Sequence, residues 1–136
     1  MKIYFTGYFT GFYGLPDFNN LEIKLTSLPK TVFFLFLNHP EGIVFKHLSN
    51  YKDELMFIYQ RIAYRQGIEE MTYSINEICD PRSNSINEKC SRIKEAFVSQ
   101  FNETIAENYF ITGKRGEPKK IKIAAFDMVK GGLGKS

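Results

Sequence analysis

Lys114, Arg115, Lys119, Lys120 and Lys122 crowd into residues 113–122 against the single acid Glu117, and the chemistry they suit is contact with phosphate. Upstream, Asn87, Lys89, Arg92 and Lys94 recur at helical spacing. Asn and Arg can each make paired hydrogen bonds to base edges, and Lys can reach guanine or phosphate. The same stretch carries Glu88 and Glu95, which at four and three residues from Arg92 are expected to pair with its guanidinium and compete for it. Nothing of equal weight points to catalysis. His39 and His47 flank a turn with Glu41 and Asp53 as the nearby acids, and no Ser or Cys sits in a nucleophile context. Cys79 and Cys90 lack a Cys-x-x-Cys partner, so no metal site and no cofactor is expected, and both thiols read as small buried hydrophobes.

The elements that must position these groups follow from periodicity. Ser85-Ile-Asn-Glu88 has the form of a capping box. Ile86, Cys90, Ile93, Phe97 and Phe101 then recur every three or four residues, which predicts a helix over 86–101 with that stripe turned inward. Tyr109–Thr112 and Lys119–Ala124 are predicted to pair as strands around Gly113-Lys-Arg-Gly-Glu-Pro118. Earlier in the chain, residues 2–13 alternate with aromatic and β-branched residues, and Leu21–Leu25 alternates again, which predicts a small antiparallel sheet. Thr26-Ser-Leu-Pro-Lys offers a cap and a first-turn proline ahead of the apolar helix through Leu37. Ser49 or Asn50 can cap a helix over 51–65 whose buried stripe is Leu55, Ile58, Ile62 and Ala63. A further helix over 68–79 is ended by Asp80-Pro81.

Two longer passages resemble a known family. Asn20 to Leu48, with its strand ending in Leu25-Thr26, its Leu- and Phe-rich helix and its Asn38-His-Pro-Glu-Gly42 turn, is similar to the opening of the winged-helix effector domains of OmpR/PhoB-type response regulators. Ile86 to Phe97, with Ser91-Arg92-Ile93-Lys94, resembles that family's third helix, and Ile111-Thr-Gly-Lys-Arg-Gly116 its Arg-Gly wing tip. The resemblance implies a single α/β winged-helix domain over 1–125, with an N-terminal antiparallel sheet, a helical core and a C-terminal β-hairpin wing. It also implies a non-enzymatic regulator that binds double-stranded DNA through helix 86–101 and wing 113–122. The stretch from Tyr51 to Asp80 is much longer than the family's link, and no receiver domain is part of the match, so phosphotransfer is not implied. The alternative is a protein-interaction domain on the same scaffold, using exposed aromatics or the helix over 51–65 to meet a protein partner or a second copy.

Composition bounds these expectations. The chain has 136 residues and a net charge of +3. Residues 1–80 carry 7 Lys/Arg against 9 Asp/Glu and residues 81–136 carry 11 against 6, so the positive end is the one holding the predicted helix and hairpin. No apolar run approaches the roughly 20 residues of a membrane helix, and Met1-Lys-Ile-Tyr-Phe-Thr-Gly7 does not read as a signal peptide. A cytoplasmic location is expected. Lys130-Gly-Gly-Leu-Gly-Lys-Ser136 matches the deviant phosphate-loop pattern of ParA/MinD-type ATPases, but the helix and magnesium-binding acid that pattern needs are missing, so residues 126–136 are expected to be a flexible tail.

Overall fold

The computed structural model describes residues 2–5 and 20–122, and side chains from Lys24 to Lys122. Most of the expected strand over 2–13, the end of the last strand and the 126–136 tail lie outside the described residues.

The expected α/β winged helix is not what forms. The described residues are predominantly helical, with α1 (Ser27–Leu37), α2 (Lys52–Ile62), α3 (Ile68–Cys79), α4 (Ser85–Val98) and the one-turn α5 (Glu103–Ala106). No antiparallel N-terminal sheet is present among them. Strands β1 (Lys2–Phe5) and β2 (Asn20–Ile23) pair in parallel, Lys2 opposite Asn20 and Phe5 opposite Ile23. Alternation marks both segments as extended but is blind to direction, and the chain between them is long enough for the crossover that parallel pairing requires. The C-terminal hairpin is also shorter than predicted: β3 (Ile111–Thr112) and β4 (Lys120–Ile121) form a two-residue ladder. On one side a 3-10 turn over Glu107–Tyr109 takes the start of the first predicted strand, and on the other Lys119 pairs with Ile43 instead of with the hairpin.

The helical core follows the sequence closely. Val32 to Phe36 are fully buried on every side of α1, which makes it the central helix, packed against α2 and α4. Thr26 holds the N-cap position without a side-chain bond. Pro29 sits in the first turn, where a missing N–H costs nothing. In α2 the buried stripe is Leu55, Ile58, Tyr59 and Ile62, and the helix stops at Ile62, three residues before the predicted end. α3 spans the predicted range, and Asp80 leaves helical geometry ahead of Pro81. α4 buries Ile86, Ile93 and Phe97. Phe101 lies beyond its end but stacks back on Phe97 with ring centroids 6.3 Å apart.

The predicted capping box is absent. Ser85 is already helical and buried, Asn84 takes the N-cap position, and no side-chain cap bond is made. The Ser85 N–H donates instead to Ser83 Oγ at 3.0 Å. The turn before α4 therefore fixes the helix start, a tertiary solution that the Ser-x-x-Glu spacing does not encode.

Candidate nucleic-acid interface

The hairpin is held on the helices by one backbone bridge. Ile43 N–H donates to Lys119 O and Lys119 N–H to Ile43 O, both at 2.9 Å, which adds a third short strand edge beside β4. Gly42 makes this approach possible. Its φ is +94°, and a Cβ there would lie 2.9 Å from both Lys119 O and the Pro118 side chain. At the tip, Glu117 N–H donates to Lys114 O at 3.0 Å around Gly116, whose φ of +79° suits the third position of a type II turn. The ladder sets the side chains: Ile111 and Ile121 face the core, while Thr112, Lys120 and Lys122 face solvent.

This placement separates the predicted cations into two groups. Lys114, Arg115, Lys120 and Lys122 are exposed and make no ion pair with another described residue. Lys119, by contrast, is partly covered and lines the cleft beside Arg115. Its Nζ donates to Gly113 O at 2.9 Å and lies 5.2 Å from the centre of the Phe45 ring, so it braces the hairpin from within.

On α4 the predicted residues also divide. Asn87 is exposed and its amide donates to Asn84 Oδ1 at 3.1 Å. Arg92 is exposed, and the expected pairs with Glu88 and Glu95 do not form, which leaves its guanidinium without an ion pair among the described residues. Lys89 lines the groove along α4 but is largely covered. Its side chain is only 18% exposed and lies 3.8 Å from Glu88. Lys94 sits on the flank, 5.3 Å above the Phe110 ring.

The two surfaces meet at Asn87. A cleft of about 490 Å³ between the hairpin tip and the start of α4 is lined by Asn87, Arg115, Lys46, Phe45, Asp80 and Glu117 among others. A second, shallower groove along the outer side of α4 is lined by the same Asn87 with Ser91, Arg92 and Glu95. Lys46 is the residue that sequence reasoning missed. It lies about forty residues from α4, and the Ile43–Lys119 bridge helps to bring its segment beside the hairpin.

His39 belongs to a polar cluster at the end of α1. His39 Nε2 contacts Glu54 Oε1 at 2.8 Å and Nδ1 contacts Glu41 Oε2 at 3.2 Å, while Asn38 donates to the other Glu54 oxygen, so the cluster ties the end of α1 to α2. The acid used is Glu54 rather than the expected Asp53. Among the described residues no group of three or more His, Cys, Asp or Glu could hold a metal ion, and no helix is long and apolar enough to cross a membrane.

The thiols are unpaired, Cys79 buried and Cys90 partly exposed at its surface. Burial pushes Cys90 up from an ordinary thiol value of 9.0 to about 12, against a small opposing pull from Lys119. Because the folded value is the higher one, the stability this thiol contributes is complete below pH 9 and is lost as pH rises toward 12. The urea midpoint is therefore expected to fall between pH 9 and pH 11. A Cys90→Ala variant should show a shallower fall over the same range, and an identical slope in both proteins would contradict the burial of this thiol.

No family model, curated protein or solved structure matches this chain.

Proposed function

We propose that the chain is a non-enzymatic protein that binds double-stranded DNA, with the outer side of α4 toward the groove and the hairpin on the phosphate backbone. One observation carries this reading: Asn87 belongs both to the cleft shared with Arg115 and to the α4 groove shared with Arg92. That shared residue supports reading helix face and hairpin as one surface within reach of a single duplex. The division of labour follows from chemistry. Lys114, Arg115, Lys120 and Lys122 carry charge without base-reading geometry fixed by neighbours, which suits phosphate. Asn87 and Arg92 present amide and guanidinium groups that suit adenine and guanine edges in the major groove. Glu88 and Glu95 on the same helix would repel a backbone laid along it, which favours entry into the groove over lying across the strands. The unpaired thiols suit a reducing compartment, and we place the protein in the cytoplasm.

Fluorescence anisotropy with a labelled random-sequence duplex, repeated across salt concentrations, tests the reading. Four phosphate-contacting cations give an expected slope of about −3.6 for log affinity against log salt, equivalent to a loss of about a hundredfold between 50 and 200 mM. Absence of binding at the lower salt would remove the proposal.

A further inference from the structure

The cleft between the hairpin tip and the start of α4 has a floor that contact with phosphate leaves unexplained. Ile78 and Ile86 are buried, at 1% and 5% exposure, yet both line it, so its bottom is an edge of the apolar core. Val44 and the half-buried Phe45 continue that lining. The Phe45 ring is set edge-on against Phe36 with centroids 6.3 Å apart, which makes it a fixed wall rather than a loose side chain. Phosphate oxygens offer nothing apolar to cover these groups.

The mouth of the cleft is cationic. Lys46 and Arg115 are exposed there, and neither forms an ion pair with another described residue. Lys119 adds a third positive group, its ammonium 5.2 Å from the centre of the Phe45 ring. Two carboxylates share the cleft, but Asp80 is already taken by Arg82, whose backbone N–H and Nε donate to one oxygen at 2.9 and 3.2 Å. Glu117 is left as the one acid set against three cations. An apolar floor beneath such a mouth fits a ligand of the same polarity, apolar in its body and anionic at one end. The cavity of about 490 Å³ falls within the roughly 300–1,000 Å³ of small-molecule sites. The planar guanidinium of Arg115 matches a carboxylate, and the Phe45 ring matches a flat apolar body.

We propose that this cleft binds a small carboxylic acid with a ring-bearing apolar body, its carboxylate held by Arg115 and Lys46 and its rings set on Ile78, Ile86 and Phe45. The inference does not rest on DNA binding, and its test contains no duplex, so either reading can fail without the other.

Amide chemical-shift titration with naphthoate provides that test. Saturable shifts are expected at Phe45, Lys46, Ile86, Asn87 and residues 115–119, with a dissociation constant of about 1 mM for so small a probe. Naphthamide, which keeps the rings without the charge, and acetate, which keeps the charge without the rings, should each bind at least tenfold more weakly. Lys46→Ala with Arg115→Ala should weaken naphthoate binding at least tenfold, and both side chains are exposed enough for the fold to persist, which circular dichroism checks. Lys114→Ala with Lys120→Ala and Lys122→Ala removes three cations that do not line the cleft, and should change the affinity less than about twofold. No saturation by about 10 mM, or shifts centred elsewhere, overturns the proposal. Equal binding of naphthamide or acetate, or an equal loss in the two sets of variants, overturns it as well, because either result makes the contact one of rings or of charge alone.

Discussion

Replacing Lys114, Arg115, Lys120 and Lys122 together by alanine is expected to weaken duplex binding at least a hundredfold at 50 mM salt and to bring the salt slope close to zero. The effect is large because these side chains account for the phosphate contacts assigned to the hairpin, and each lost contact removes close to one unit of slope. The substitutions should leave the fold intact. All four side chains are exposed, and none forms an ion pair with a described residue, so stability should move by no more than about 0.5 kcal/mol. Lys119→Ala makes an informative contrast, because that ammonium also holds Gly113 O and lies over the Phe45 ring. It should loosen the hairpin while changing the salt slope far less than the fourfold variant does. If the fourfold variant bound duplex with the wild-type slope, the hairpin would not be the phosphate-contacting element.

The largest effect on stability is expected at Phe97. Its fully buried ring lies 5.4 Å from Phe33 on α1 and stacks on Tyr109 at 4.7 Å with the planes 2° apart. Tyr109 leads directly into β3, so this stack joins the central helix, α4 and the hairpin at one point. Phe97→Ala removes a ring that those neighbours cannot replace, and should cost about 3–5 kcal/mol. That is a large part of the stability of an ordinary domain, and the thermal midpoint should drop by roughly 10–20 °C if the protein still folds. Phe97→Leu keeps most of the volume and should cost about 1–2 kcal/mol, chiefly through the lost stacking. Urea denaturation followed by circular dichroism measures both, and a loss below about 1 kcal/mol for the alanine variant would contradict a close-packed stack at this position.

The helical part of this architecture was legible because its signals are local. The spacing of Ile86, Ile93 and Phe97, the apolar run of α1 and the Asp80-Pro81 stop each act within a few residues of themselves, and α1, α3 and α4 lie close to where those patterns predict. The α/β expectation failed where pairing depends on distant residues. Alternation marks Lys2–Phe5 and Asn20–Ile23 as strands without fixing their relative direction, and they run parallel. A Ser-x-x-Glu spacing is compatible with a capping box, yet Ser83 from the preceding turn supplies the acceptor for Ser85.

The candidate interface divides in the same way. A cluster of lysines around two glycines is visible in the sequence, and so is the exposed side of α4. Which cation is free is a tertiary matter. Lys119 reads like its neighbour Lys120 in the chain, but the bridge to Ile43 helps to turn it onto Phe45. Lys46 has no sequence signal at all, since its place beside Arg115 depends in part on the same bridge. Likewise the expected pairing of Arg92 with Glu88 and Glu95 follows from spacing, while the observed rotamers leave the guanidinium apart from both.

The central claim is that α4 and the hairpin act as one DNA-contacting surface, and amide chemical-shift mapping during titration with a duplex tests it most directly. Shifts should move together, with one midpoint, at Asn87 to Arg92 and across 113–122, while α2 stays unchanged. Shifts confined to the hairpin, or centred elsewhere on the molecule, would contradict it.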